Sequence, residues 1–162
     1  MNALAALLAV VIAIVAVCTS ATTAASAGMN IQDVDYTSDA VTYFNKFRTA
    51  AKLPVMRGNE ALTTACRMHA RDMAMFKFLS DRGSDGSTAG TRATAAGYKW
   101  FKTGITMGMG YANVDAYLKT MNKDNNRWIV DKDIIDIGAV WARYMPNGQT
   151  YYDVCYGAPA AK

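Results

Sequence analysis

Apolar and polar positions along this chain fall into three regimes. Leu4–Val17 is almost continuously apolar, and residues 1–27 hold no charged side chain. From residue 38 onward apolar residues recur at helical spacing. Val41, Phe44, Phe47 and Ala51 form one stripe, with Ser38 placed to cap its start and Leu53-Pro54 to end it. A second helical pattern covers Leu62–Phe78 behind a capping Asn59 and puts Leu62, Ala65, Cys66, His69 and Met73 on one face. Residues 80–97 are rich in glycine, serine and threonine and read as a long loop, with a short helix over Arg92–Ala96. Tyr98–Met107 reads as extended, and Asn113 caps a third helix with Val114, Tyr117, Leu118 and Met121 inward. Beyond it the period changes. Ile134–Tyr144 and Thr150–Tyr156 are β-branched and aromatic runs flanking Pro146-Asn147-Gly148, a hairpin signal. Helices first and an antiparallel hairpin last predict an α+β domain with helices on a small sheet.

The opening stretch is an apolar run followed by Ala25-Ser26-Ala27, which predicts a signal peptide over 1–27 cleaved after Ala27. The run is about 14 residues, short of the ~20 of a spanning helix; a retained anchor is the rival reading, since no Lys or Arg precedes the run. Residues 28–37 are polar and unpatterned and read as a flexible lead. The domain is placed at 38–158, with a tail at 159–162. The net charge of +4 arises from scattered Lys and Arg, which do not gather into the one-sided patch that nucleic acid requires. Two cysteines, Cys66 and Cys155, lie beyond the predicted signal. An oxidising compartment favours a disulfide closing a loop of about 90 residues, an upper stabilisation of ~4–5 kcal/mol. Two buried free thiols are the alternative.

Candidate chemistry is sparse. The chain has one histidine, His69, on the apolar face of the second helical pattern, where it reads as a core residue with a hydrogen-bond partner. Any Ser-His-Asp or Cys-His triad must use it. No Gly-x-Ser-x-Gly, His-Glu-x-x-His or Cys-x-x-Cys occurs. Asp81 and Asp85 lack the spacing of a calcium loop and read as turn chemistry.

Several fragments, in order, resemble one family. Phe44-Asn45-Lys46-Phe47-Arg48 with Leu53-Pro54, then His69-Ala70 with Asp72-Met73-Ala74, are similar to the two opening helices of the CAP superfamily of cysteine-rich secretory, antigen 5 and pathogenesis-related 1 proteins. Ser80-Asp81-Arg82-Gly83-Ser84-Asp85-Gly86-Ser87, Arg92, Gly97-Tyr98-Lys99-Trp100, Asn125–Val130 and Ile137-Gly138-Ala139 continue the match over about 115 residues. The resemblance implies a three-layer α-β-α sandwich with a small antiparallel sheet and a C-terminal β-hairpin. It also implies a cavity that in some members holds a divalent metal between two histidines and one or two glutamates. Here the first histidine position is Asp81, the glutamate position Ile105 and the second histidine position Asn125, while Tyr117 stands at a helix position usually held by tryptophan. These replacements do not make an ordinary zinc site.

Tyr98, Met107 and the neighbouring apolar, glycine-rich residues would lie at that cavity. With Ile105 in place of a carboxylate they predict a drier cleft suited to a sterol or acyl chain. A filled core is the alternative. The ligand-cavity candidates are therefore Asp81, Ile105, Asn125, Tyr98, Met107 and Tyr117, with no catalytic or metal residue and no cofactor. The expectation is a secreted, non-enzymatic binding protein of CAP type at a host–microbe interface. Its candidate partners are a sterol or other lipid, an extracellular protein or a glycan, without nucleic acid or a stable membrane span. A metal-dependent or hydrolytic member, or a structural protein of the cell surface, remains the alternative.

Overall fold

Strands β4 (Asp136–Tyr144) and β5 (Gln149–Pro159) form the hairpin around which the other elements assemble. They pair antiparallel from Asp136↔Gly157 to Tyr144↔Gln149, and Gly148 takes the positive φ of +68° that the turn requires. Alternate residues serve opposite faces. On β5, Tyr152, Val154, Tyr156 and Ala158 enter one core, whereas Tyr151 and Cys155 enter another. On β4, Ile137 and Ala139 go one way, Val140 and Ala142 the other. A sheet apolar on both faces must be covered on both.

The computed structural model describes residues 30–121 and 126–161. The predicted signal peptide, Asn125 and Lys162 lie outside the described residues. Strand β1 (Ile31–Asp35) pairs antiparallel with β4, and β3 (Trp100–Met109) pairs antiparallel with β5. A two-residue β2 (Arg57–Gly58) adds a short parallel pairing to β4, so the main sheet order is β1-β4-β5-β3. Helices α1 (Thr37–Ala50), α4 (Val114–Thr120) and α5 (Arg127–Val130) cover one face. Helices α2 (Glu60–Phe76) and α3 (Ala89–Ala95) cover the other. The result is the α+β sandwich expected. Among the described residues no helix is long and apolar enough to cross a membrane.

Two junctions fix α2 to the sheet. Gly138 of β4 lies so close to the helix that a Cβ there would run into the backbone of Leu62 and Thr63. The Cys66–Cys155 disulfide, with Cα atoms 5.7 Å apart, joins α2 to β5. Asn59 and Asn113 cap as their positions predict, accepting from the amides of Leu62 (3.1 Å) and Ala116 (2.8 Å).

The start of the domain differs from expectation. Ile31–Asp35, within the segment read as a flexible lead, is a strand in register with Val140–Tyr144. Its short polar sequence has too little alternation to announce an edge strand whose partner lies over 100 residues away. Ser38 is exposed and is not the cap. Instead the Thr37 amide donates to the Asp35 carboxylate (2.8 Å), and the Thr37 hydroxyl accepts from the Ala139 amide (2.9 Å). Thr37 is therefore drawn into the core as a link between α1 and β4.

The phenols of Tyr36, Tyr98, Tyr117, Tyr151, Tyr152 and Tyr156 are all pushed above their ordinary range, chiefly by burial. Because the folded state holds these protons more tightly, their stabilisation is complete below pH ~10 and is lost as pH rises above it. Each phenol ionised only in the unfolded chain adds a slope of about 1.4 kcal/mol per pH unit. In an alkaline titration the phenolate signals of these six should therefore rise together with the loss of far-UV dichroism. Ionisation of these six near pH 10 with the dichroism intact would contradict this.

Candidate functional site

The Ser80–Thr88 loop is built by a few side chains that capture its backbone. The Ser84 amide and hydroxyl donate to the Asp72 carboxylate of α2 (2.8 and 2.6 Å). The Ser87 amide donates to Asp85 Oδ1 (2.8 Å), and hydrogen bonding from the Ser87 side chain and amide holds the Asp85 carboxyl below its usual range. Gly86 supplies a positive φ of +80°. Arg92, buried on α3, donates to the carbonyl oxygens of Ser87 (2.9 Å) and Asp81 (3.0 Å). The Ser-Asp-Gly-Ser…Arg pattern is thus a loop-forming device: a guanidinium at fixed distance gathers the Asp81 carbonyl and the Ser87 carbonyl, which also accepts from the Gly83 amide.

This loop forms one wall of a hollow of about 420 Å³ that also borders β3 and α5. Asp81 and Ile105 both line it, so the structure brings these two candidates together. The opposite wall is Arg127 and Trp128. Gly104 on β3 makes room for the Trp128 indole, which a Cβ at that position would strike. The indole lies nearly parallel to the Tyr156 ring (16°, centroids 6.0 Å apart), and the Arg127 guanidinium sits 4.4 Å from the indole centre. Beneath, Asn126 donates to the Tyr156 hydroxyl (2.8 Å) and its oxygen accepts from the Trp128 amide (3.1 Å). Trp100, 37% exposed, stands on Gly90 of α3 at the outer rim.

The other candidates lie elsewhere. Asn125 lies outside the described residues. Tyr98 is buried on the α2 side and donates to Asp136 Oδ2 (2.8 Å), whose other oxygen takes Arg57 Nε (2.7 Å). Met107 is half-buried against the α2-side core. Tyr117 fills the opposite core, stacked on Tyr152 with centroids 4.8 Å apart and donating to the Thr106 carbonyl (3.1 Å).

A model of the cysteine-rich secretory protein family matches residues 41–156. The chain belongs to the CAP family. This CAP domain is also similar in fold to three solved structures. An outer surface protein from Borrelia burgdorferi shares 15% identity with a TM-score of 0.65, over 80% of this chain and 98% of that one. An extracellular SCP-domain protein from Bacillus anthracis str. Ames shares 13% identity (TM-score 0.64), over 75% of this chain and 39% of that one. A cysteine-rich secretory protein from Staphylococcus aureus subsp. aureus Mu50 shares 14% identity (TM-score 0.58), over 75% and 38%. The CAP chain thus spans about two fifths of the length of the last two. No curated protein sequence matches it.

The residues present do not fit the metal that some CAP cavities hold. The hollow offers one carboxylate, the exposed Asp81, beside the hydrocarbon of Ile105 and a guanidinium that repels a cation. Among the described residues one cluster has metal-ligand types, Cys66, Asp153 and Cys155, but both its sulfurs are spent in the disulfide. His69 does not line this hollow. It is fully buried on α2, and its Nδ1 lies 2.8 Å from Asp153 Oδ2 on β5. Burial raises the Asp153 carboxyl above its usual range, and His69 opposes that shift.

Sequence reasoning missed Trp128, Arg127 and Trp100 as walls of the hollow and Asp153 as the partner of His69. One signal was available: Asp153 is the lone carboxylate in the otherwise apolar and aromatic Tyr151–Tyr156 run.

Proposed function

We propose that this CAP protein is an exported, non-enzymatic binding module whose hollow at Asp81 and Ile105 contacts a surface-borne partner. The observation carrying this reading is the lining of that hollow: one exposed carboxylate, a hydrocarbon, two indoles and two guanidiniums, Arg82 and Arg127, and no imidazole among the described residues that line it. Such groups stack, pair and hydrogen-bond; they supply neither a poised base nor a Lewis acid. Export is supported by the charge-free apolar stretch of residues 1–27 and by relatives in fold described as extracellular, outer-surface or secretory. An aromatic ring beside charged and hydroxyl groups suits a polar surface such as a glycan better than a sterol, because the rim carries Asp81, Arg82 and Thr88.

Protein recovered from culture medium tests the reading. Metal analysis should find no stoichiometric zinc or calcium, and ester and peptide substrates should turn over no faster than in buffer. Trp100→Ala should weaken retention on insoluble surface polysaccharide by about tenfold, ~1.4 kcal/mol, with the fold intact. Stoichiometric metal, or turnover abolished by Asp81→Ala, would replace binding by catalysis. Unchanged retention would remove the hollow from the contact.

A further inference from the structure

The Cys66–Cys155 bridge does not stand alone in the α2-side core. Cys66 and His69, three residues apart on α2, share its buried face, and Asp153 and Cys155, two apart on β5, share one side of that strand. Helix and strand thus set a Cys-x-x-His pair against an Asp-x-Cys pair. The two sulfurs and a carboxylate oxygen of Asp153 all lie within 4.8 Å of one another. His69 Nδ1 lies 2.8 Å from Asp153 Oδ2.

Two observations set this cluster apart from plain packing. Asp153 is fully buried, yet its Oδ1 has no hydrogen-bond partner among the described residues. A buried carboxylate oxygen is costly unless a donor or a cation receives it. With Oδ2 engaged by His69, Oδ1 is the oxygen left to bind. The second observation is the spacing of the cysteines, whose Cα atoms are 5.7 Å apart. That spacing serves a bridge. By side-chain rotation it also serves two thiolates on one metal ion, where sulfurs ~2.3 Å from the metal stand about 3.8 Å apart.

We propose that the dithiol form of this chain binds one Zn²⁺ through Cys66 Sγ, Cys155 Sγ and Asp153 Oδ1, with His69 holding that carboxylate by its other oxygen. Two thiolates and a carboxylate are ligands zinc accepts, and they supply three corners of its tetrahedron; a water completes the fourth. Metal and bridge exclude each other, since each uses both sulfurs. A dithiol reductant gives two electrons and two protons to the bridge and itself becomes a disulfide, and Zn²⁺ then displaces the two thiol protons. Oxidation runs the other way. The thiolates give up two electrons as the S–S bond forms, a disulfide oxidant takes them with two protons, and Zn²⁺ leaves. Either state clamps α2 to β5, so the ion holds the two elements together before the bridge closes. The site uses no residue that lines the hollow at Asp81 and does not rest on the binding role proposed for that hollow.

The test uses the full chain carrying Cys18→Ser, so that Cys66 and Cys155 are its only cysteines. The chain is reduced with a phosphine, freed of reductant without air, and offered Zn²⁺, or Co²⁺ as a coloured stand-in. The reduced chain should take up one ion per molecule and show the bands of tetrahedral, thiolate-bound cobalt, and zinc should raise its unfolding midpoint. The oxidised chain should take up none. Asp153→Asn keeps an oxygen for His69 but no anion for the metal, and should weaken zinc binding to the reduced chain by about tenfold or more. Should that variant unfold, Cys155→Ser is compared with the reduced parent and should lose as much, with one sulfur fewer in the cobalt spectrum. Equal zinc uptake by the oxidised and reduced chains, or by Asp153→Asn and its parent, overturns the ligand assignment. No uptake by the reduced chain, or uptake without a rise in midpoint, overturns the site itself.

Discussion

Replacing both cysteines, Cys66→Ala with Cys155→Ala, should lower the unfolding free energy by about 4–5 kcal/mol, an upper estimate from loop closure. The bridge joins residues 89 apart in sequence and closes nearly the whole path from α2 to β5. Both residues are buried in the α2-side core, so the alanines leave small gaps that add to the loss. Urea unfolding is the check, read as a lower midpoint. A midpoint matching the parent protein's would show that α2 is held by packing alone. The native protein should show no free thiol at either position.

The second large effect is expected at Arg48. Although it is fully buried on α1, this arginine serves no ion pair among the described residues. Its Nε donates to the Pro54 carbonyl, and its Nη1 donates to the carbonyls of Ile129 and Asp131, each at 2.9 Å. One guanidinium thereby ties together the end of α1, the loop after it and α5. Arg48→Met keeps much of the volume and removes every donor. Losing charged hydrogen bonds to carbonyls that remain buried should cost about 3–5 kcal/mol. Hydrogen exchange should rise first at residues 53–56 and 129–131. Because α5 carries Trp128, polysaccharide retention should fall as well. A loss below ~1 kcal/mol would mean that water replaces the guanidinium at little cost.

Arg48 also shows what could be read in the sequence and what could not. The Asn-x-x-Arg…Leu-Pro fragment pointed to the family, yet its physical reason appears only in three dimensions. Asn45 exchanges hydrogen bonds with the Met56 backbone in both directions (2.9 and 2.7 Å), and Arg48 completes the clamp. The α2 stripe and the final hairpin were legible because their periods, 3.6 and 2, are local properties of the chain. The capping roles of Asn59 and Asn113 were legible for the same reason. Strand β1 was not, since an edge strand owes its existence to a distant partner. The hollow was half legible: motif positions led to Asp81 and Ile105, which do meet. Tyr98, just before β3, joins the α2-side core against which Ile105 packs, whereas Tyr117, on α4, enters the opposite core. Trp128 escaped notice because its place depends on an absent side chain, at Gly104. His69 was rightly placed on the buried face of α2, but its partner lies 84 residues on, beyond any local pattern.

The pleat of β5 has an engineering corollary. Its odd-numbered side chains answer to one pair of helices and its even-numbered ones to another set, with about 10 Å between layers packed on a sheet. Substitutions in one layer should therefore combine additively with those in the other. A combinatorial library confined to Tyr152, Val154 and Tyr156 could be screened while the disulfide-bearing half serves as an unaltered chassis.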